Sequence, residues 1–155
     1  MGLATKIRVY RSTKSQIDSA YSIVKEYYEA AAVVVREDLG EFVEDYFVEG
    51  GGVWLAADGV TVVGCIALRA LRDRPGCGEI KRLYVRAQYR GQGLADKLLD
   101  ALEEYAKEFG YNWLYLDTGA DMKAAARFYA KKGFEPSERY NDNSQATIFM
   151  RKAIR

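Results

Sequence analysis

The stretch Gln88, Tyr89, Arg90, Gly91, Gln92, Gly93, Leu94, Ala95 sets two glycines and an arginine between a strand-like run and an amphipathic helical one. At such a junction several backbone N–H groups point outward without partners. The aligned peptide dipoles add about half a positive charge at the helix start, and glycine lets an anion approach the backbone with no Cβ in the way. Arg90 adds a full charge, so the chemistry on offer is anion holding, above all of phosphate. Glycines alone also fit a bare connecting turn. A P-loop needs Lys and Ser or Thr after its last glycine, and Leu94 and Ala95 exclude it. The dinucleotide fingerprint is disfavoured, because Asp96 stands where its third glycine belongs, although Asp117 imitates its ribose-binding acid.

The remaining chemistry is bounded by what the chain lacks. None of its 155 residues is histidine, which removes the usual general base, the imidazole triads and the commonest metal ligand. Carboxylates, tyrosine and backbone must do the work, and no metal is expected. The two cysteines, Cys65 and Cys77, have neither disulfide-scaffold density nor zinc-knuckle spacing, and a reducing cytoplasm is the expected home. With 23 basic against 22 acidic residues there is no overall field toward nucleic acid or anionic lipid, so an anion site must be local. No window approaches the ~18 apolar residues of a membrane span, and Met1 to Arg11 has no apolar core of signal-peptide length. With 49% apolar and 29% charged residues the chain reads as one globular domain over residues 1–155.

The elements that position these residues follow from periodicity. Ile7 to Tyr10 reads as a short strand, and a helix from near Gln16 carries Ile17, Ala20, Tyr21, Val24, Tyr27, Tyr28 and Ala31 at three and four residue steps. A second helix is expected over about Glu37 to Val48. Val53 to Ala57 and Thr61 to Leu71 read as strands around a hairpin turn at Asp58 and Gly59, and Glu79 to Val85 as the next strand. From Leu94 to Phe109 an apolar stripe faces away from Lys97, Asp100, Glu103, Glu104 and Lys107, with Gly110 as stop. Trp113 to Leu116 is a continuous apolar run, the mark of a strand covered on both faces, so helices are expected above and below it. A last helix spans about Asp121 to Lys132, and two strands follow around Phe134 to Glu138 and Ala146 to Lys152. An antiparallel meander followed by one βαβ unit gives a mixed α/β (α+β) domain.

In that setting Gln88, Gly91 and Gly93 resemble the signature of the GCN5-related N-acetyltransferase (GNAT) superfamily: Gln or Arg, two residues, Gly, one residue, then Gly or Ala. Glu79 to Val85 looks like that family's coenzyme strand, and Ala125, Phe128, Tyr129, Lys132, Gly133 and Phe134 look like its last helix. The first half matches only in element order. The resemblance implies a splayed mixed sheet of about six or seven strands and about four helices, in the order β-α-α-β-β-β-α-β-α-β-β. Its opening would receive the pantetheine arm of acetyl-coenzyme A, used as co-substrate.

The same resemblance implies roles. The backbones of Leu83 and Val85, with Tyr84 between them, would pair with the pantetheine amides as an added strand does. Gln88 and Arg90 through Ala95 would hold pyrophosphate, and Ala125, Phe128 and Lys132 would flank the coenzyme. Tyr129 would give its proton to the departing thiolate, since a phenol of pKa about 10 is protonated at neutral pH. Seven residues earlier, where the family often has Asn, stands Met122. An ammonium of pKa about 10 must first lose its proton, and Glu79 is the candidate base. Alternation puts Glu79 on the face of Lys81, Leu83 and Val85 unless a β-bulge resets the parity.

Substrate groups are expected from the first two helices and the last hairpin: Tyr27, Tyr28, Arg36, Asp38, Tyr140, Asn141, Asp142 and Asn143. The acceptor is read as the primary amine of a small polar molecule or amino acid, attacked directly, with a protein N-terminus or lysine as the alternative. A catalytically silent acyl-coenzyme A sensor is the rival of another class. A homodimer is compatible with the terminal strands.

Overall fold

The computed structural model describes residues 6–34, 36–119 and 123–154. Its strands are β1 (Ile7–Arg11), β2 (Gly52–Asp58), β3 (Thr61–Ala70), β4 (Cys77–Val85), β5 (Trp113–Thr118), β6 (Glu135–Pro136) and β7 (Ile148–Ala153). Its helices are α1 (Ile17–Ala30), α2 (Leu39–Tyr46), α3 (Leu94–Phe109) and α4 (Lys123–Lys131). The expected element order is observed. The strands form one sheet in the order β1-β2-β3-β4-β5-β7-β6, antiparallel except for the parallel β4–β5 pair that α3 crosses over.

Several boundaries move for local reasons. Asp38 accepts the Glu41 N–H at 2.9 Å and Glu41 returns a bond to the Asp38 N–H at 3.0 Å. This capping box starts α2 at Leu39 instead of Glu37. The first hairpin pairs Asp58 with Thr61, so the turn is Gly59 and Val60, with glycine at the position whose φ is +63°. The last helix begins at Lys123; Asp121 and Met122 lie outside the described residues.

Two apolar layers flank the sheet. Leu98, Leu99, Leu102 and Ala106 of α3 and Tyr129 of α4 pack on Ile66, Leu68, Ile80, Leu114 and Leu116. On the other face Ala20, Ile23, Val24 and Tyr28 of α1 and Phe42 and Tyr46 of α2 cover Val53, Leu55, Cys65 and Ala67. The expectation that helices cover both faces of the Trp113 strand is corrected: Tyr115 and Trp113 pack against Tyr140, Ala146 and Phe149, from the last loop and β7. Bulky aromatics from a loop can close a sheet face as a helix does.

One irregularity shapes the site. Cys65 opposes Tyr84 while Ala67 opposes Lys81, so β4 carries a bulge, and Arg82 within it has φ +62°. Alternation resets there, as bulges require. Leu83 and Val85 join Ile80 in the layer under α3 and α4, whereas Tyr84 packs toward α1. The expectation that Glu79 shares a face with Leu83 and Val85 is therefore corrected.

Candidate active site

Strands β4 and β5 pair from Cys77↔Trp113 to Ile80↔Leu116 and then part. Beyond that point β4 keeps β3 as its neighbour and β5 keeps β7, so the two inner edges face one another across a gap. A cleft of about 760 Å³ opens there, lined on the sheet side by Lys81, Leu83, Asp117 and Thr118 and on its flanks by Tyr27, Tyr129 and Asn141. The segment 31–34 after α1 and the loop 141–146 before β7 complete its rim.

The floor is a continuous ionic network. Lys81 Nζ stands 3.2 Å from Asp117 Oδ1 and 3.6 Å from Glu79 Oε2. The Asn141 amide donates to Asp117 Oδ2 at 2.6 Å and to Glu79 Oε2 at 3.2 Å, and the Tyr140 hydroxyl donates to the same Glu79 oxygen at 2.7 Å. Arg69 Nε donates to Glu79 Oε1 at 3.0 Å, and its guanidinium also meets Asp45 at 3.2 Å. Charge removed from water this thoroughly needs partners, and pairing and hydrogen bonding within the network supply them.

Titration follows from these surroundings. Burial alone would raise the Asp117 carboxyl, but the Lys81 ammonium and the bonds from Asn141, Lys81 and Asn143 outweigh it and hold the group below its usual range. Burial, then the nearby Tyr27 phenol, push the Tyr129 hydroxyl well up. Burial likewise raises Tyr27 against the pull of Arg82. Two phenols that stay protonated thus line the same cleft as a largely buried carboxylate that stays ionised.

Of the residues expected from the sequence, Tyr27, Leu83, Ala125, Tyr129, Asn141, Asp142 and Asn143 are brought together on the cleft wall. Glu79 is only 1% exposed and sits behind Lys81 and Asn141 with both oxygens hydrogen-bonded. Tyr28 is buried in the α1 layer, its hydroxyl 3.4 Å from Glu37 Oε1. Tyr140 is buried under the last loop, and Asp38 is occupied as the α2 cap. Arg36 lies outside the cleft, paired with Glu29 at 3.1 Å. Lys132 faces α3, 3.1 Å from Asp96 and 3.0 Å from Asp100, while Phe128 packs on the core.

The glycine turn lies beyond the end of β4 on the exposed surface. Gly91 and Gly93 have φ of +77° and +80°, and a Cβ on either would meet nothing within 4 Å. The glycines are therefore set by backbone conformation and leave an open cradle. Among the described residues no side chain caps α3, so the first-turn amides around Leu94 and Ala95 keep their donors free there. Arg90 Nε donates to Val85 O at 2.9 Å, which folds the guanidinium back toward the strand end, and Gln92 reaches the Gln88 carbonyl at 3.4 Å.

Lys81, Arg69 and Glu37 carry no local signal for this site, and Asp117 offers one only as a mimic of a ribose-binding acid. Charged residues inside strands read as solvated edges until their partners are known. The one available signal was Lys81 and Asp117 near facing ends of the two strands of the crossover unit.

The sequence model of the Acetyltransferase (GNAT) family matches residues 17–134. N-acetyltransferase 8 of Mus musculus is 35% identical over 105 residues, 65% of this chain and 46% of the relative. N-acetyltransferase 8F1 of Rattus norvegicus is 32% identical over 110 residues, 69% of this chain and 50% of the relative. The chain thus spans about half the length of the curated relatives it matches. Among solved structures, a GNAT-family acetyltransferase of Staphylococcus aureus Mu50 superposes with a TM-score of 0.81 at 22% identity, covering 96% of this chain and 99% of that one. N-acetylglutamate synthase of Neisseria gonorrhoeae, solved with coenzyme A and N-acetyl-glutamate, gives 0.77 at 16% identity, covering 96% of this chain and 35% of that one. At those identities the structures show a shared fold.

Proposed function

Because the chain belongs to the Acetyltransferase (GNAT) family, we propose that it transfers an acetyl group from acetyl-coenzyme A to the primary amine of a small polar molecule or amino acid, in a ternary complex. The observation that carries this reading is the parting of β4 and β5 over an ionised Asp117, with the protonated Tyr129 on the opposite wall.

The open cradle at Gly91 and Gly93 and the uncapped start of α3 suit a pyrophosphate, with Arg90 beside it. The free inner edge of β4 at Leu83 and Val85 suits the amides of the pantetheine arm. The coenzyme supplies the thioester. Asp117 attracts the acceptor as an ammonium and fixes it near the β4 edge. The amine loses its proton to water held against Asp117, with Glu79 as the second carboxylate behind it, and its lone pair then attacks the thioester carbonyl. As the C–S bond breaks, Tyr129 gives its proton to the sulfur and recovers one from solvent.

The test is a library of primary amines offered with acetyl-coenzyme A and read by thiol release. Turnover of small polar amines is expected. Protection by the coenzyme with no turnover across the library would sink the transferase reading and leave a sensor.

A further inference from the structure

Arg82 holds the β4 bulge at φ +62°, a conformation in which glycine escapes the steric cost that a Cβ brings. The chain keeps an arginine there, and its side chain has work elsewhere. Arg82 Nη2 donates to Glu37 Oε1 at 2.9 Å, and the guanidinium lies 6.0 Å from the ring centre of Tyr27 and 5.2 Å from that of Tyr28. Glu37 belongs to the stretch between α1 and α2. It is fixed further by the Tyr21 hydroxyl, which donates to its carbonyl at 2.8 Å, and by Arg69 Nη1 at 3.6 Å from its other carboxylate oxygen, Oε2. Residues 31–34 of the same stretch line the cleft. On the strand side, the Arg82 carbonyl accepts from Cys65 Sγ at 3.2 Å, which pins the bulge to β3. The side chain is 11% exposed, and its Nε is buried with no partner among the described residues, so the position carries two costs that glycine would spare.

We propose that Arg82 is a positioning residue that ties the cleft-lining stretch between α1 and α2, through Glu37 and Tyr27, to the bulged strand whose edge the coenzyme arm follows. The tie sets the distance between the wall carrying Tyr27 and the strand carrying Leu83. Its kinetic consequence rests on the transferase reading; its structural consequence does not. Arg69 meets Glu37 only at 3.6 Å and is already engaged by Glu79 and Asp45, so it does not replace the 2.9 Å bond that Arg82 supplies.

The test compares Arg82→Gly, which keeps the bend and removes the side chain, with Arg82→Lys and Glu37→Gln. In Arg82→Gly, amide hydrogen exchange of residues 31–34 should quicken about tenfold or more while α3 is unchanged, as expected when local opening is eased without global unfolding. Acceptor kcat/KM should fall roughly tenfold or more in both arginine variants, with the coenzyme-induced rise in Tm retained, the split that marks a positioning role on the acceptor side. Unchanged exchange at 31–34, or equal quickening in α3, overturns the proposal. Loss of the coenzyme-induced shift together with acceptor turnover overturns it too. Should Arg82→Gly fail to fold, Glu37→Gln, which leaves the strand untouched, carries the same expectations. Failure of the transferase reading shows separately, as no thiol release by the unaltered protein, and the exchange experiment still decides.

Discussion

The side-chain amide of Asn141 lies 2.6 Å from Asp117 Oδ2 and fixes the last loop to the end of β5 across 24 residues of sequence. The same nitrogen reaches Glu79 at 3.2 Å, so one amide holds both carboxylates that the proposed chemistry uses. Asn141→Ala should lower acceptor kcat/KM by about tenfold to a hundredfold, since bonds to charged groups contribute about 1.5–3 kcal/mol. It should leave the coenzyme-induced rise in Tm intact. Steady-state kinetics against amine concentration, paired with thermal melts, checks both halves.

Tyr129 carries the proton proposed for the leaving sulfur, and burial keeps its phenol protonated well beyond the ordinary value of 10.0. Tyr129→Phe keeps the packing against Phe128 and Phe134 and removes only the hydroxyl. A fall in kcat of about a hundredfold or more is the expected scale for a general acid. Because the folded value lies above 10.0, this phenol should add no alkaline limb to the pH–kcat curve below pH 10. Wild-type kcat in the phenylalanine variant would remove Tyr129 from the mechanism.

At the turn, Gly93→Ala meets no atom within 4 Å, so its stability cost comes from φ +80° alone and should be about 1–2 kcal/mol. The added methyl also stands in the open cradle. Acetyl-coenzyme A should raise Tm of the unaltered protein, and Gly93→Ala and Arg90→Ala should each cancel most of that rise. A full coenzyme shift in both variants would place the pyrophosphate elsewhere.

Asp117 gives a pH dependence with a definite sign. Its folded pKa is depressed below the ordinary 3.8, so the stability it contributes is fully present above that value and is lost as pH falls through the folded pKa. Asp117→Asn should therefore be less stable than the unaltered protein at pH 7. The gap should close as pH drops below about 3.8. Denaturant midpoints measured at pH 7 and at a series of acid values test this; a gap that stays constant refutes it.

Much of this site is legible one segment at a time. Gly91 and Gly93 announce a turn that needs left-handed backbone, and the Leu94 stripe announces the helix that opens behind it. Tyr129 is recognisable from the residues around it on α4. The two carboxylates are harder. Glu79 is recognisable as a candidate carboxylate, but its burial is not legible locally, because its partners Arg69, Tyr140 and Asn141 come from other strands and loops. Asp38, expected as a substrate group, is engaged as the α2 cap, and Asp38 and Glu41 spell that capping box in the sequence.

The sequence by itself determined the element order, the stripes that α1 and α3 bury and the anion-ready turn, because backbone preference, capping and periodicity act over a few neighbouring residues. Only the tertiary structure decided which groups meet in the cleft. The bulge at Arg82 reverses the faces of β4 without a glycine to mark it, and the Lys81–Asp117–Asn141–Glu79 floor joins side chains 24 to 62 residues apart. Contacts of that span follow from how strands are ordered and where they part, which no local pattern specifies.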